Sequence, residues 1–213
     1  MYIRDYMKSP VITVTPDTLV HDAQKIMNEH KIRRLPVVEK GKMVGLITRN
    51  KLREAAPSPA TSLSMWEISY LLAKMKVKDV MIRKVHTLTP DTTLEEASIL
   101  AQKYNIGTLP VLDNKGNLVG IVTTTDLYHA VTQILGFGEK GARLYIKNCN
   151  QGVVQPQVME ILARHGAGVL SIFSLTPAGS QQKNFFIRLA IEDVSPIVED
   201  IKKLGCEIEL REQ

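Results

Sequence analysis

The sequence predicts a chain of mixed α/β and α+β structure, with two paired copies of one unit followed by a smaller βαββαβ domain. Two observations predict this fold class. Residues 5–52 recur as residues 79–127, at an offset of 74 positions that becomes 75 after one inserted residue. After about Phe137 the repeat is absent and a new order of strand and helix signals begins. Two copies are too few for a solenoid, so we expect a closed pair related by pseudo-two-fold symmetry, with a crevice between its halves.

Each copy shows the same order of local signals. In the first copy, alternating residues 11–14 predict a short strand, and Pro16-Asp17-Thr18 predicts the stop and cap of a helix that continues to about His30. A hairpin of residues 35–38 and 43–48 follows, and a helix opens near Arg49. The second copy repeats these elements as a strand at 85–88, a helix at 94–104, a hairpin of 109–111 with 118–122, and a helix beginning at Thr124 or Thr125.

The chain is predicted to contain three domains. The first copy occupies residues 1–56, a Pro- and Ala-rich linker and a helix occupy 57–76, and the second copy occupies 77–136. Residues 141–213 form the smaller domain, with strands at 143–147, 169–175, 185–191 and 206–210, one helix at 154–165, and a second helix capped by Ser195-Pro196. The order β-α-β-β-α-β is the ferredoxin-like arrangement.

Composition excludes several classes of protein. The chain has 213 residues, of which 44% are hydrophobic and 23% charged, which is typical of a globular protein. No apolar run approaches the roughly 20 residues of a membrane span, and the N-terminus lacks a signal-peptide core, so we expect a soluble cytoplasmic protein without membrane contact. The formal net charge is +5, but the basic residues are scattered and aromatic residues make up 5% of the chain, which argues against nucleic acid.

No catalytic or metal-binding set is predicted. The five histidines share no metal-ligand spacing, and no Ser/His/Asp or Cys/His set is recognisable. Cys149 and Cys206 are interpreted as reduced structural thiols. Residues 136–141 fit G-x-G-x-x-G, but they follow a helix and precede a strand, the reverse of a dinucleotide site, so we interpret them as a hinge.

The duplicated pattern resembles a known family. Val-Gly-Leu-Ile-Thr at 44–48 and Val-Gly-Ile-Val-Thr-Thr-Thr-Asp at 119–126 are similar to a tandem pair of cystathionine-β-synthase (CBS) domains, called a Bateman module, over roughly residues 1–135. The last 70 or so residues resemble ACT domains, the small-molecule regulatory modules of amino-acid metabolism. The whole order resembles the acetoin-utilisation B-type CBS–ACT proteins.

The resemblance implies a nucleotide site with the pattern Gly-x-x-Thr/Ser-x-x-Asp. The second copy matches with Gly120, Thr123 and Asp126. An Asp can accept hydrogen bonds from both ribose hydroxyls, whereas Lys51, at the equivalent position of the first copy, has no acceptor. The resemblance therefore implies one complete nucleoside site and one that is degraded or differently used. The alternative for Asp126 is a simple helix cap.

The resemblance also implies residues that line the ligand. In the second copy they are Val85, His86, Thr87, Gly107, Thr108, Leu109 and Pro110, and from the first copy Arg33 and Arg34 reach phosphates. The alternative interpretation of Arg33 and Arg34 is a solvated charged pair. A possible second site would use Ile12, Thr13, Pro36 and Thr48, and the ACT-like loop would use Asn150, Gln151 and Gly152. Only the glycine of the ACT pattern Asp-x-Pro-Gly remains in that loop, so dimerisation and amino-acid binding both stay open for this domain.

Together these features indicate a non-catalytic regulatory sensor. Its expected ligand is an adenine nucleotide (AMP, ADP or ATP) or an S-adenosylmethionine-like compound, with no catalytic cofactor and no metal. We expect a homodimer and a separate partner enzyme, because no output domain is recognisable in the sequence. The alternatives are a ligand-free dimerisation scaffold and a regulatory subunit of a metabolic enzyme.

Overall fold

A computed structural model describes residues 1–55, 73–147, 151–179 and 183–212. The chain divides into two compact units, Met1–Tyr128 and His129–Gln213. The predicted linker and most of the helix predicted at 64–74 fall on residues outside the described ranges. No helix in the described part of the chain is long and apolar enough to cross a membrane.

The first unit contains both copies of the repeat up to Tyr128, within the last helix of the second copy, and the structure confirms the predicted helices and hairpins. The first copy comprises a 3-10 turn (Ile3–Asp5), α1 (Val20–Glu29), β1 (Arg34–Glu39), β2 (Lys42–Thr48) and α2 (Arg49–Glu54). The second comprises α3 (Val77–Val80), α4 (Leu94–Lys103), β3 (Thr108–Leu112), β4 (Leu118–Thr123) and α5 (Thr124–Ile134). β1 pairs with β2 and β3 with β4, both antiparallel.

Two local predictions for this unit are wrong. Residues 11–14 and 85–88 do not form regular strands, because each segment makes only one parallel bridge, Val14 to Val37 and Leu88 to Val111. Thr18 closes the turn before α1 instead of capping the helix, since its hydroxyl oxygen accepts a hydrogen bond from the Thr15 amide at 3.1 Å. The residue before α1 is Leu19, which offers no side-chain cap.

Each copy donates its leading segment to the other copy. The Lys8 and Ile121 backbones exchange hydrogen bonds of 2.9 and 3.1 Å, so residues that begin the first copy extend the hairpin of the second. Leu46 and Ile82 exchange backbone hydrogen bonds of 2.9 and 2.8 Å in the reciprocal position. Leading segments of the two copies are therefore part of each other's fold.

The hydrophobic core repeats along with the backbone. A buried cluster in the first copy consists of Val14, Val20, Ala23, Met27, Leu35, Val37, Ile47, Leu52 and Val77. Its counterparts at the repeat offset are buried as well: Leu88, Leu94, Ala97, Ala101, Leu109, Val111, Val122, Leu127 and Ile3. Ile3 and Val77 are each fully buried although they lie in the exchanged segments. Burying a side chain of this size stabilises a fold by about 1.5–3 kcal/mol, so the exchange contributes directly to stability.

Two glycines permit the close approach of the exchanged segments. A Cβ at Gly120 would lie 2.4 Å from the Sδ of Met7, and a Cβ at Gly45 would lie 2.7 Å from the Sδ of Met81. At Gly45 the carbonyl oxygen of Ile82 would also lie at 2.9 Å. These distances explain why both copies carry glycine at this point of the second hairpin strand.

The second unit is an α+β region with a four-stranded antiparallel sheet. Its elements are β5 (Ala142–Lys147), α6 (Gln151–Arg164), β6 (Val169–Leu175), β7 (Asn184–Leu189), α7 (Ser195–Lys202) and β8 (Glu207–Glu212). The strand order is β6-β7-β5-β8. Apolar residues of α6 and α7, among them Ile161 and Ile197, pack on Leu144 and Ile187 of the two central strands. The element order is the one predicted from the sequence.

Three details of this unit correct the predictions. α6 begins at Gln151, earlier than the predicted 154. α7 begins at Ser195 with Val194 as its N-cap, because the Asp193 carboxylate accepts a hydrogen bond from the Ser195 amide at 3.1 Å. Cys206 is disulfide-bonded, so the prediction of a reduced thiol is wrong at that position. Sequence spacing does not report the distance between cysteines in a fold. Cys149 lies outside the described residues.

We predict that Gly45→Ala and Gly120→Ala each destabilise the chain by about 1–3 kcal/mol, because the added methyl group overpacks the exchanged segments. Gly45→Ala should cost more, since a backbone carbonyl cannot move aside as the Met7 side chain can. Urea unfolding measures both effects. Gly168→Ala, whose Cβ would meet Ala190 at an ordinary 3.4 Å, is the matched control. Additive effects of Gly120→Ala and Met7→Ala would contradict the predicted contact.

We predict that Asp200→Asn lowers the stability of the second unit at neutral pH and has less effect in acid. Hydrogen bonds from Lys203 and His165 lower the pKa of Asp200 from 3.8 to about 2. The ionised carboxylate therefore stabilises the folded state above about pH 3.8, and this contribution disappears as the pH falls through about 2. Urea titrations from pH 6 to 2, followed by amide signals of α6 and α7, measure the difference, with Glu160→Gln as control. A difference that is independent of pH would contradict the assignment.

Candidate functional site

The predicted nucleoside site of the second copy is built where β4 ends and α5 begins. The amide and hydroxyl of Thr123 both donate hydrogen bonds to Asp126 Oδ2, at 2.8 and 2.5 Å. The Asp126 amide donates in return to the Thr123 hydroxyl at 3.3 Å. This reciprocal arrangement caps α5 and fixes the carboxylate. Oδ2 of Asp126 therefore caps the helix, as the alternative interpretation predicts, while Oδ1 takes no part in the cap.

Oδ1 of Asp126 is bound by a lysine from the exchanged N-terminal segment. Lys8 Nζ lies 2.7 Å from this oxygen. The Asp126 side chain is 13% exposed, whereas the Lys8 side chain is 68% exposed and can swing away without breaking a packed core. The sequence analysis missed Lys8. A signal was present, because its counterpart at the repeat offset is the apolar Ile82.

The surroundings of Asp126 keep it ionised. Burial acts to raise its pKa, but hydrogen bonds from Lys8 and Thr123 and the charge of Lys8 together hold the pKa below its ordinary 3.8. An ionised carboxylate only accepts hydrogen bonds, so it can bind two ribose hydroxyls once Lys8 moves. Asp126 can therefore act as an acceptor for a polyhydroxylated ligand near neutral pH.

The equivalent position of the first copy has different chemistry. Thr48 caps α2 by accepting a hydrogen bond from the Lys51 amide at 3.1 Å. The Lys51 ammonium pairs with Glu54 at 2.5 Å instead of returning to Thr48. The capping geometry is thus conserved between copies, but the acceptor for ribose is replaced by a cation.

Arg34 connects the two copies at the predicted ligand crevice. Its Nη1 donates to the Thr108 hydroxyl at 3.1 Å. A Cβ at Gly107 would lie 3.0 Å from the Arg34 guanidinium, so the glycine leaves room for it. Thr108 pairs with Thr123 across β3 and β4, which places Arg34 beside the strand that carries the nucleoside motif. The predicted alternative of a purely solvated pair is wrong for Arg34, and Arg33 is exposed.

Arg33 and Arg34 also line a basic cavity of about 350 Å³ in the first copy. Its other lining residues are Thr48, Arg49, Asn50 and Arg53. Arg49 and Arg53 were not predicted as site residues. Two arginines four residues apart on a helix are typical of an ordinary charged surface. We call this cavity the arginine pocket.

The other predicted residues of the second copy lie along β3 and the segment beside it. The Leu88 amide donates to the Pro110 carbonyl at 2.9 Å, which aligns residues 85–87 with β3. His86 stacks on Tyr104 with ring centroids 4.1 Å apart, and Thr87 is exposed. Val85 is half-buried. Leu109 is 1% exposed, so its side chain belongs to the buried core.

The residues predicted for a second site have the same arrangement in the first copy. The Pro36 carbonyl accepts from the Val14 amide at 3.1 Å, which aligns residues 12 and 13 with β1. Ile12 and Thr13 are exposed, and Pro36 is buried. Thr48 belongs to the arginine pocket as well as to the α2 cap.

The predicted ACT-like loop is only partly described. Asn150 lies outside the described residues, while Gln151 and Gly152 are the first residues of α6. A cavity of about 630 Å³ in this unit lies at the other end of β5, against Gly141, Ala142, Glu192, Asp193, Val194, Ser195 and Leu210. This cavity does not include the predicted loop. Among the described residues, no group of three or more His, Cys, Asp or Glu side chains is arranged to hold a metal ion.

We predict that Lys8→Met raises the pKa of Asp126, because it removes a hydrogen bond and a positive charge that favour the ionised carboxylate. Carboxyl carbon NMR over pH 2–7 measures this pKa. Lys25→Met, which removes a cation from the exposed Lys25–Glu29 pair, is the control and should leave Asp126 unchanged. An unchanged pKa in Lys8→Met would show that Lys8 does not bind Asp126 in solution.

The chain is similar to known proteins over about three fifths of its length. A protein of Methanocaldococcus jannaschii, MJ1426, is 36% identical over 154 residues, covering 62% of this chain and 91% of that protein. The crystal structure of an acetoin utilization protein (AcuB) from Vibrio cholerae has 28% identity and a TM-score of 0.54, covering 64% of this chain and 93% of that one. CBSX2 of Arabidopsis thaliana, solved in complex with AMP, has 28% identity and a TM-score of 0.53, covering 63% of this chain and 98% of that one.

Similarity to enzymes is confined to part of their length. An inosine-5′-monophosphate dehydrogenase of Korarchaeum cryptofilum is 33% identical over 136 residues, which is 25% of that enzyme. The CBS domain model matches residues 3–58 and 77–133, together more than half of the chain. These segments contain both Thr123–Asp126 and the arginine pocket. The chain therefore belongs to the CBS-domain family.

Proposed function

We propose that the chain is a non-catalytic regulatory sensor that binds an adenosine compound in the crevice of its CBS pair. The observation that carries this proposal is the ionised Asp126, fixed by Thr123 through one oxygen while the other oxygen is held by the exposed Lys8. Such a carboxylate can exchange its lysine for ribose hydroxyls. The AMP complex of CBSX2 supports an adenine nucleotide as the ligand.

The ligand would be sensed through the exchanged segment. Lys8 lies in the stretch of backbone that extends the second hairpin, next to Met7, which covers Gly120. Ribose binding to Asp126 would release Lys8 and change the free energy of the contact between the N-terminal segment and the second hairpin. A ligand shifts the arrangement of the two copies only by the difference in its affinity for each arrangement. We propose that this difference is the regulatory signal.

The second unit would transmit the signal. We propose that residues 141–213 are a ferredoxin-like, ACT-like domain that mediates a homodimer and contacts a partner enzyme, following CBS domains at 1–56 and 77–136 that are related by a pseudo-two-fold axis. Its βαββαβ order and strand order β6-β7-β5-β8 support this reading. Amino-acid binding at residues 150–152 stays a secondary proposal.

One observation favours a second candidate function, a ligand-free scaffold. Both oxygens of Asp126 have protein partners, so the carboxylate is satisfied without a ligand. The ion pair would then be a structural clamp between the N-terminal segment and α5. Ligand binding distinguishes the two functions.

We predict that wild-type protein binds adenosine compounds and that Asp126→Asn abolishes binding. Calorimetric titration with adenosine, AMP, ADP and ATP measures affinity, and a ligand at 100 times its Kd should stabilise the fold by about 2.7 kcal/mol. Glu96→Gln is the matched control, because Thr93 and Glu96 form the same reciprocal cap at the start of α4, away from the predicted crevice residues. Both variants remove the negative charge of a capping carboxylate, and only Asp126→Asn should lose the ligand. Failure of every adenosine compound to bind would favour the scaffold.

A further inference from the structure

Helices α6 and α7 cover one face of the four-stranded sheet in the second unit. Leu144 and Ile187 pack against these helices. Their neighbours Arg143 and Arg188 point to the opposite face, because side chains alternate along a strand. We call this opposite face the open face. Residues 135–139, which follow α5 and overlap the predicted hinge, bind to the open face within the same unit.

The first residues of this connection are a rigid continuation of α5. Gly136 has a left-handed backbone, with φ at +73°. Its amide donates to the Gln133 carbonyl at 2.9 Å, and the Phe137 amide donates to the Thr132 carbonyl at 3.0 Å. These two hydrogen bonds form a Schellman motif, which ends a helix at a left-handed glycine. The backbone of Phe137 is therefore held by the last turn of α5.

Two side-chain hydrogen bonds fix the connection to the open face. Arg188 of β7 is 3% exposed, and its Nη2 donates to the Glu139 carbonyl. The Ser171 hydroxyl of β6 donates to the Leu135 carbonyl at 3.0 Å. A hydrogen bond from a charged group is roughly twice as strong as a neutral one, so Arg188 makes the stronger of the two contacts.

Phe137 and Gly136 fit closely around the arginine. The Phe137 ring centre lies 5.8 Å from the guanidinium carbon of Arg188 and 5.4 Å from that of Arg143, within cation–π distance. A Cβ at Gly136 would lie 2.8 Å from Arg188 Cδ, so a side chain there would collide with the arginine. Glycine is therefore required at 136 both by the left-handed turn and by the space that Arg188 occupies.

These contacts can open while the sheet stays folded. The Phe137 side chain is 42% exposed, and Gly138 and Glu139 are exposed as well. In contrast, Ile187 and Leu189 on β7 are fully buried and keep the sheet in place. A segment held by partly exposed contacts opens locally at a lower free energy than the core unfolds. Residues 135–139, which we call the latch segment, therefore have a closed and an open state.

The latch segment is joined to the proposed nucleoside site by α5 itself. Thr123 and Asp126 cap the first turn of α5, and the helix continues without a break to Ile134. A ligand that binds the cap only when this turn is helical stabilises the helix. Closing of the latch segment needs the last turn, because Phe137 is hydrogen-bonded to it. Both events therefore favour the same helical α5.

We infer that the latch segment, closed by Arg188, is the element through which ligand binding at the start of α5 acts on the second unit. Binding would favour the closed state. This inference rests on the proposed function, because the ligand is the one proposed to bind Asp126. Arg188 acts as a positioning residue here, since it touches the latch segment and not the ligand.

The first test measures the latch segment without ligand. Arg188→Met removes the guanidinium donors and keeps most of the apolar length of the side chain. Hydrogen exchange of the Gly136 and Phe137 amides should accelerate about tenfold or more, because the lost hydrogen bonds favour the open state. Arg211→Met makes the same change at an exposed position on the open face of β8 and should leave both amides unchanged.

The second test adds AMP to the full chain. In the wild type, saturating AMP should slow exchange of the same two amides about fivefold or more, and Arg188→Met should weaken AMP affinity by a similar factor. The two factors should agree because coupling between two sites is reciprocal. Amide exchange by NMR gives the first factor and calorimetric titration the second. Arg211→Met should leave AMP affinity at the wild-type value.

The possible failures are distinguishable. AMP binding that leaves the two amides unchanged, or equal AMP affinity in the wild type and Arg188→Met, would overturn the inference while the proposed function stands. Should Arg188→Met loosen the whole sheet, Phe137→Ala replaces it with the same expected results, because that ring is partly exposed. Absence of binding by every adenosine compound would overturn the proposed function and the inference with it.

Discussion

The fold of the first unit depends on the reciprocal exchange of leading segments between the two copies. Lys8 and Ile121, and in the other direction Leu46 and Ile82, join the copies by paired backbone hydrogen bonds. Val77, in the leading segment of the second copy, packs in the buried cluster of the first copy. Neither copy is therefore independent of the other, because each hairpin is extended by a segment of the other copy. This constraint explains why small glycines are kept where the segments cross.

The two copies carry opposite charge at equivalent positions of the repeated motif. In the second copy, an acid at 126 is held by a lysine from the N-terminal segment. In the first copy, a lysine occupies the acid's position and the surrounding arginines are left without carboxylate partners in the described residues. The duplicated fold therefore keeps its geometry while the charge of its two halves diverges. Arg34 links the two sites, because it lines the arginine pocket and donates a hydrogen bond to Thr108 of the second copy.

The regular elements of this chain could be predicted because their signals are local. Hydrophobic spacing and turn residues identified the helices and hairpins of both copies, and the duplication confirmed each assignment independently. The contact of Lys8 with Asp126 could not be predicted in this way, because it joins residues that are far apart in sequence and depends on the exchange. The disulfide of Cys206 was missed because the spacing of cysteines in a sequence does not report their distance in the fold. Thr18 was assigned as a cap because a hydroxyl that closes a turn looks the same in sequence as one that caps a helix.

A crystal structure of the full chain with AMP would test the central claim most directly. The ribose hydroxyls should lie within hydrogen-bond distance of Asp126, Lys8 should have left Oδ1, and the phosphate should contact Arg34. A structure in which AMP binds elsewhere, or in which Lys8 still occupies Asp126 beside the bound nucleotide, would contradict the exchange of lysine for ribose.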